Sequence, residues 1–171
     1  MNPMDHTMSP EPLSRRSMIV AAGTTVALAG CLDDVANREE WAVSESLSAT
    51  HAVQYNAPNC DCCDEYAAYL DDHLNGDLDV TEPDDLDSVK RERGVPSGLD
   101  SCHTVELDDY VIEGHIPIEV VRELFEREPE VAGIALPGMP AGSPGMGGEK
   151  DGEWTVYAFD DDGEYERFTE L

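Results

Sequence analysis

The sequence predicts an α/β domain in which helices pack on a mixed β-sheet. Segments with strand and helix patterns follow one another over residues 47–171 in the order β-α-β-α-β-β-α-β-β. The apolar positions from Cys63 onwards recur at helical spacing. The two segments at 102–106 and 110–113 instead contain the strand-favouring residues Thr, Val, Ile and Tyr. This alternation favours a sheet covered by helices. The length of 171 residues allows one such domain and a short targeting or tail segment.

The first half of the domain contains two predicted strands and two predicted helices. Residues 47–55 form the first strand. The helix that follows has one apolar face, made of Cys63, Tyr66, Ala67, Leu70 and Leu74. Its predicted end is the Asn75-Gly76 pair, because glycine commonly ends helices. A strand over 78–81 and a short helix over 86–93 come next, and Asp84 or Asp85 can cap that helix.

The second half begins with two strands, 102–106 and 110–113, around an Asp108-Asp109 turn. A helix is expected to begin at Pro117, which suits a first helical position, and to end before Pro129. Residues 133–148 are so rich in Gly and Pro that we expect a long loop without regular structure. Strands over 154–159 and 164–168, joined by an acidic turn, complete the domain.

The charge balance excludes one large class of partners. The chain has 38 acidic and 10 basic residues, for a formal net charge of -28. Nucleic acid is therefore not expected as a partner, because phosphate binding needs Lys and Arg. The clear apolar periodicity argues against disorder as the explanation of so much acid. Acidic residues dispersed over turns and helix faces are typical of salt-adapted proteins, so we expect a halophilic source.

Residues 1–30 are predicted to be a twin-arginine-type lipoprotein signal peptide. The Arg15-Arg16 pair precedes an apolar stretch that is too short to span a bilayer. The stretch ends in Leu28-Ala29-Gly30-Cys31, which resembles a lipobox, so Cys31 would become a lipid-carrying N-terminus. The alternative is a short N-terminal helix with a chance cysteine. The signal predicts an extracytoplasmic protein, anchored to the outer face of the cytoplasmic membrane through the lipid on Cys31 only. An acidic tether over 31–46 would join it to the domain.

Three cysteines, Cys60, Cys62 and Cys63, lie where the first strand gives way to the first helix, and Cys102 follows downstream. Unpaired N–H groups and the helix dipole stabilise a thiolate at such a position and lower its pKa. The Cys60-x-x-Cys63 placement resembles the active site of the thioredoxin fold. A cysteine placed here acts either as a redox nucleophile or as a metal ligand.

The neighbouring residues favour the metal. Carboxylates at Asp61 and Asp64 would raise the pKa of the adjacent thiols, slow nucleophilic attack and attract a cation. Thiolates select Cu(I), Zn(II) or iron–sulfur clusters. A zinc ribbon needs two separated C-x-x-C pairs and the chain has one, while a ferredoxin spacing is absent. Clustered sulfurs fit Cu(I), which accepts bridging thiolates, so a multinuclear copper cluster is a natural outcome.

Four segments carry a resemblance to a known family: Cys60-x-Cys62-Cys63, residues 101–104, residues 110–117 and residues 137–146. Their residues and order resemble the CopG-type family of small exported metal-binding proteins, over roughly residues 50–170. The resemblance implies a thioredoxin-like fold and copper binding through Cys60, Cys62, Cys63 and Cys102. It also implies a part in copper resistance or copper redox handling, with copper ions and other copper-handling or redox proteins as partners. The chain differs at Asp61, where the family commonly has glycine.

Further candidate metal ligands are His103, His115, Met139 and Met146. Each has an alternative role. His103 follows Cys102 on a predicted strand and should then point to the opposite face, and His115 could simply orient the turn before the second-half helix. The two methionines could pack the Gly/Pro loop onto the domain. No role is assigned to His51 or to His73, which we expect near the exposed end of its helix.

A copper-binding protein is therefore the first hypothesis, and it is favoured over an enzyme. The second is an extracytoplasmic thiol–disulfide oxidoreductase in which Cys60 attacks, Cys63 resolves, and Cys62 with Cys102 relays electrons. No other catalytic residue is assigned. The third is a structural domain whose cysteines only form disulfides.

Overall fold

The computed structural model describes residues 46–171. The predicted signal over 1–30, Cys31 and all of the predicted tether except its last residue lie outside this range. Three helices lie in the described part: α1 (Asp61–Asp71), α2 (Leu86–Glu92) and α3 (Ile118–Arg127). Its strands are β1 (Leu47–Ser48), β2 (Ala52–Asn56), β3 (Leu74–Asn75), β4 (Asp79–Thr81), β5 (His103–Leu107), β6 (Tyr110–Glu113), β7 (Gly133–Ala135), β8 (Thr155–Phe159) and β9 (Tyr165–Glu170).

Seven of these strands form one mixed sheet in the order β4-β2-β5-β6-β7-β8-β9. Strands β2 and β4 are parallel, β5 is antiparallel to both β2 and β6, and β7 returns parallel to β6. The unit β2-α1-β4-α2-β5-β6-α3 has the topology of a thioredoxin-like fold, and β7, β8 and β9 extend its sheet. The α/β prediction is confirmed, and with it the mixed sheet flanked by helices.

Both faces of the sheet are covered. Ile112, Ile134 and Ala158 belong to the larger apolar core, which also contains the buried side of α1 and of α3. Their chain neighbours Val111, Ala135 and Phe159 belong to a second cluster with Val95 and Leu99, which follow α2. Because successive strand residues point to opposite faces, the two clusters lie on opposite sides of the sheet.

The first helix ends earlier than its apolar pattern predicts. It stops at Asp71, and Leu74 instead pairs with Leu47 in a small parallel ladder of β1 and β3. The Leu47 amide donates to the His73 carbonyl at 2.8 Å, so the chain after α1 is held by the segment before β2. His73 is buried, with Nδ1 2.6 Å from the Tyr69 carbonyl, and our expectation of an exposed position was wrong.

The predicted first strand is broken in two. The Asp108 carboxylate accepts hydrogen bonds from the amides of Thr50 and His51, which removes these residues from strand pairing. The expectation of no regular structure over 133–148 was also wrong at its start, because Gly133–Ala135 forms β7. A Cβ at Gly133 would lie 2.1 Å from the Val111 carbonyl oxygen, so the glycine is what lets β7 approach β6.

Several boundaries shift by one or two residues. Pro117 precedes α3 as its N-cap instead of occupying the first helical position. The helix ends at Arg127, and its C-cap residue Glu128 has a left-handed backbone and is followed by Pro129. Asp85 caps α2 as expected, since its carboxylate accepts a bond from the Ser88 amide at 3.0 Å. Among the described residues, no helix is long and apolar enough to cross a membrane.

Candidate metal centre

The centre lies at the start of α1. Cys60 is the N-cap residue, and Cys62 and Cys63 lie in the first turn, so the helix geometry brings three sulfurs to one end. Cys60 and Cys63 form a disulfide, with their Cα atoms 5.3 Å apart. Cys62 and Cys102 are free thiols and half-buried. The four predicted ligands are therefore present as one disulfide and two thiols.

The sulfurs form a chain of close contacts. Cys62 Sγ lies 3.5 Å from Cys60 Sγ and 3.7 Å from Cys102 Sγ. Cys102 reaches the cluster because it immediately precedes β5, whose partner β2 leads into Cys60. The Ala57 amide donates to the Cys102 carbonyl at 3.0 Å, and this bond fixes the two loops against each other. Tertiary pairing thus closes a gap of 40 residues between Cys62 and Cys102.

His115 is part of the same centre. Its Nδ1–H donates to the Pro144 carbonyl at 2.8 Å, so the neutral ring carries its lone pair on Nε2. That atom lies 3.3 Å from Cys102 Sγ. The ring is fully buried, and burial lowers the pKa of His115. The contact is consequently a neutral one, in which the Cys102 thiol donates to an imidazole nitrogen.

His103 lies on the same side as Cys102, and our expectation of opposite faces was wrong. Cys102 is outside β5, so the strand alternation does not apply to it, and His103 Nδ1 lies 3.6 Å from Cys102 Sγ. The imidazole is stacked on the Tyr66 ring at 4.5 Å and makes an edge contact with His115 at 4.7 Å. Its Nε2 is buried and has no hydrogen-bond partner within residues 46–171. Burial places the pKa of His103 well below its ordinary value.

Cys102 is a protonated thiol at neutral pH. Burial, followed by the neighbouring Cys62, raises the pKa of Cys102 to about 12. The causes at Cys102 are thus desolvation and a second sulfur, and the effect that we expected of Asp61 and Asp64 on the thiols adjacent to them stays a prediction. Asp64 is itself engaged, since it accepts a bond from Asn56 Nδ2 at 3.1 Å. Such a thiol is a poor nucleophile, and a metal ion binding it must displace its proton.

The Gly/Pro loop covers the centre. Gly145 has a positive φ of 75°, and a Cβ there would lie 2.7 Å from the Tyr66 amide nitrogen and 2.9 Å from the Cys62 carbonyl oxygen. The loop can therefore lie directly on the first turn of α1, and Pro144 bonds His115 from the same place. Met146 follows Gly145 and is half-buried, whereas Met139 is exposed with a left-handed backbone. Their part in metal binding stays a prediction.

A buried ion pair supports strand β5, which Cys102 immediately precedes, and the sequence analysis did not assign this pair. Lys90 of α2 pairs with Glu113 of β6, and both side chains are buried. Glu113 accepts from the Ser101 amide at 2.6 Å and from the Thr104 hydroxyl at 2.6 Å. Lys90 also donates to the Thr104 hydroxyl at 3.0 Å. Two features of the sequence could have indicated this pair. Lys90 is one of few basic residues in a strongly acidic chain, and Glu113 ends the apolar segment Tyr-Val-Ile-Glu.

The described residues contain two sets of candidate ligand atoms, and within each set all the atoms lie within 4.8 Å of one another. The two sets share Cys102. One set is Cys60, Cys62, Cys63 and Cys102. The other is Cys102, His103 and His115. The structure thus brings together all six predicted Cys and His candidates. His51 is exposed and outside both sets.

The chain is similar to one described protein family and to solved structures of copper resistance proteins. Residues 99–146 match the family described as "Protein of unknown function, DUF411", a range that includes Cys102, His115 and the covering loop. No curated protein matches the chain. The solved structure "Copper resistance protein copG- Form 1" is 31% identical, with a TM-score of 0.64, over 74% of this chain and 98% of that one. The structure "Copper resistance protein copG- Form 2" is 34% identical, with a TM-score of 0.62, over 74% and 99%.

Proposed function

The chain belongs to the CopG-type family of copper resistance proteins, and from this premise we propose that it binds copper as Cu(I). Family membership and the cysteine cluster support a copper-related function. The ligands would be the thiolates of Cys60, Cys62, Cys63 and Cys102. Copper is the cargo of the protein, which would act in copper resistance or in copper redox handling.

The observation that carries the proposal is the convergence of four sulfurs within 4.8 Å. Two sulfurs bound to one ion with bonds of about 2.3 Å, the length seen with zinc, lie about 3.8 Å apart at a tetrahedral angle. The Cys62–Cys102 separation of 3.7 Å is close to this value, and the Cys60–Cys62 separation is 3.5 Å. The cluster is thus already compact enough for sulfurs to share ions.

The disulfide determines when all four ligands exist. Cys60 and Cys63 are bonded to each other, so their reduction must precede binding by four thiolates. After reduction the centre would have four adjacent thiolates, which is more than the two or three that a single Cu(I) ion commonly binds. Sulfurs that bridge neighbouring ions would then favour the binding of more than one Cu(I). The proposed cargo is therefore a small copper cluster at the start of α1.

The copper would be held outside the cytoplasm. The predicted signal over 1–30 would direct export, and lipid on Cys31 would keep the protein on the outer face of the cytoplasmic membrane. Cys31→Ser should then move the protein from the membrane fraction to the soluble fraction, as followed by fractionation and immunoblotting. Equal membrane retention of both forms would contradict the lipid anchor.

The test of copper binding is an anaerobic titration of the fully reduced chain with Cu(I), at high salt, against a competing chelator. One or more tightly bound equivalents are expected. Cys102→Ser should lower the affinity at least as much as the loss of a supporting residue does in other metal sites, about 10–100-fold. Cys31→Ser is the matched control, because it removes a thiol outside the cluster and should leave the titration unchanged.

A second candidate function is favoured by the disulfide itself. Cys60 and Cys63 form a disulfide at a helix N-terminus, the position of a redox-active pair in thioredoxin-like proteins. Substitution of Cys62 or Cys102 separates the two functions, because it should abolish tight Cu(I) binding and leave Cys60/Cys63 exchange intact. If wild-type protein fails to take Cu(I) from even a weak competitor, the copper proposal is wrong and the oxidoreductase replaces it.

A further inference from the structure

We propose that Cys102, His115 and His103 form a second metal site, which takes one divalent ion such as Cu(II) while the Cys60–Cys63 disulfide is intact. The inference rests on the proposed function, because the two sites share Cys102 and would bind the same metal in different oxidation states. It differs from that function in its donors and in the state of the protein that binds. No electron transfer forms part of the proposal.

The separations of the donor atoms suit one ion. With a metal–sulfur bond of about 2.3 Å and a metal–nitrogen bond of about 2.0 Å, sulfur and nitrogen lie about 3.5–3.7 Å apart at tetrahedral to trigonal angles. Cys102 Sγ lies 3.3 Å from His115 Nε2 and 3.6 Å from His103 Nδ1. Both sulfur–nitrogen separations are therefore within a few tenths of an ångström of those around a bound ion, and all three ligand atoms lie within 4.8 Å of one another.

The protein already holds His115 as metal ligands are usually held. A ligating histidine commonly donates its other ring N–H to a backbone carbonyl, which fixes the tautomer and the ring orientation. His115 does this through Nδ1 and Pro144. Its free lone pair on Nε2 consequently faces Cys102, in a fully buried side chain.

His103 supplies an independent observation. The His103 side chain is fully buried, and its Nδ1 lies 3.6 Å from Cys102 Sγ. The imidazole is stacked on Tyr66 and makes an edge contact with His115. A buried histidine that is held by ring contacts, with Nδ1 beside the shared sulfur, is suited to bind an ion.

The donor set indicates the class of ion. Two imidazoles and one thiolate are the ligands of His2Cys copper sites, and nitrogen donors favour Cu(II) over the softer Cu(I). Cys62 Sγ, 3.7 Å from Cys102 Sγ, could occupy a fourth position. Neither Cys60 nor Cys63 is needed, so formation of the disulfide removes the all-sulfur site and leaves this one. The redox state of one cysteine pair would thereby change the ion that the centre prefers.

The experiment uses Co(II) as the probe, because it does not oxidise thiols as Cu(II) can and its absorption bands report coordination. Full-length protein with Cys31→Ser is kept in the disulfide form without reductant, under argon and at high salt. We expect one equivalent of Co(II) to bind with the intense visible bands of a tetrahedral site and a sulfur-to-metal charge-transfer band. Thiol counting confirms that only Cys62 and Cys102 are free at the start.

Two variants separate this site from the Cu(I) site. His115→Asn keeps a donor for the Pro144 carbonyl but removes the ligand atom, so Co(II) binding should weaken by more than about 10-fold while Cu(I) binding to the reduced form persists. Cys60→Ser with Cys63→Ser should do the reverse, keeping the Co(II) bands and losing tight Cu(I) binding. Retained Cu(I) binding also shows that the His115→Asn variant is folded.

The matched control is His51→Ala, which removes an exposed histidine outside both sets. It should leave the Co(II) bands unchanged. Weak, octahedral bands that survive His115→Asn would show binding to surface carboxylates and overturn the second site. The absence of any Co(II) band would overturn it as well, and in either case the Cu(I) titration still decides the proposed function separately.

Discussion

At the scale of single residues, the centre depends on the sulfur of Cys102. Its sulfur contacts Cys62 on one side and His115 on the other, and so belongs to both sets of candidate ligands. Without metal its proton is retained, because burial raises the pKa of the thiol from 9.0 to about 12. In the unfolded chain the same thiol would ionise at a lower pH, around its ordinary pKa of 9.0. The raised pKa of the folded state therefore contributes stability that is fully present below about pH 9 and is lost as the pH rises towards 12.

This pKa predicts the reactivity of the metal-free protein. In the disulfide form, alkylation of Cys102 should rise about tenfold per pH unit from pH 8 upwards and show no plateau before the pH approaches 12, because only the thiolate reacts. Peptide mass spectrometry after timed alkylation measures the rate at each thiol. A plateau near the ordinary pKa of 9.0 would contradict the structure. Bound copper should protect Cys102 from alkylation over the alkaline range of this series.

At the scale of elements, the centre requires the Gly/Pro loop to lie on the first turn of α1. The loop approaches so closely at Gly145 that any side chain would meet the backbone of Tyr66 and Cys62. It also supplies the carbonyl of Pro144 that orients His115. A stretch that lacks helix and strand patterning is thus a structural part of the metal centre and not a free linker.

Three glycine-to-alanine variants of this loop should lower the free energy of unfolding by different amounts. The amount should depend on the backbone strain and on the steric contact that each new Cβ makes. Gly147→Ala is the control, with open space and no positive φ, and should change the unfolding free energy by less than about 0.5 kcal/mol. Gly138→Ala adds only a left-handed φ, at a cost of about 1 kcal/mol. Gly145→Ala adds a backbone collision and should cost about 2–4 kcal/mol. Denaturant unfolding at high salt measures all three, and equal values for Gly138→Ala and Gly145→Ala would show that the loop does not rest on α1.

At the scale of the whole molecule, the dominant feature is charge. With 38 acidic and 10 basic residues, the folded chain repels itself throughout. Few basic residues are available as partners, and Lys90, the one that is buried within residues 46–171, is already paired with Glu113. Stability should therefore depend on screening by the solvent.

Salt is expected to raise the free energy of unfolding. Between 0.1 M and 1 M the Debye length falls from about 10 Å to about 3 Å, which removes most of the repulsion between exposed carboxylates. The midpoint of urea denaturation should thus rise steeply with KCl at pH 7. Near pH 4, where about half of the carboxylates are protonated, the same series should be much flatter. A midpoint independent of KCl at pH 7 would exclude self-repulsion as a factor in stability.

The sequence by itself determined which elements form and where the sulfurs enter. Apolar spacing located α1, and capping and proline signals helped to locate α2 and α3, to within a few residues, because these signals are local in the chain. The C-x-C-C segment at a strand-to-helix junction also identified Cys60, Cys62 and Cys63 as metal candidates. Their sulfurs are close together because the residues are neighbours in the chain. The early end of α1 and the strand β7 were missed because distant segments, β1 and β6, compete for those backbone groups.

Only the tertiary structure decided how the centre is assembled. The pairing of β2 with β5 brings Cys102 to Cys62, and the packing of the loop aims His115 Nε2 at the same sulfur. It also decided the protonation of Cys102 and placed Lys90 and Glu113 beneath it, because burial is a property of the assembled fold. A sequence lists the ligand types in order along the chain. Distances, tautomers and desolvation arise only when segments far apart in that order are packed together.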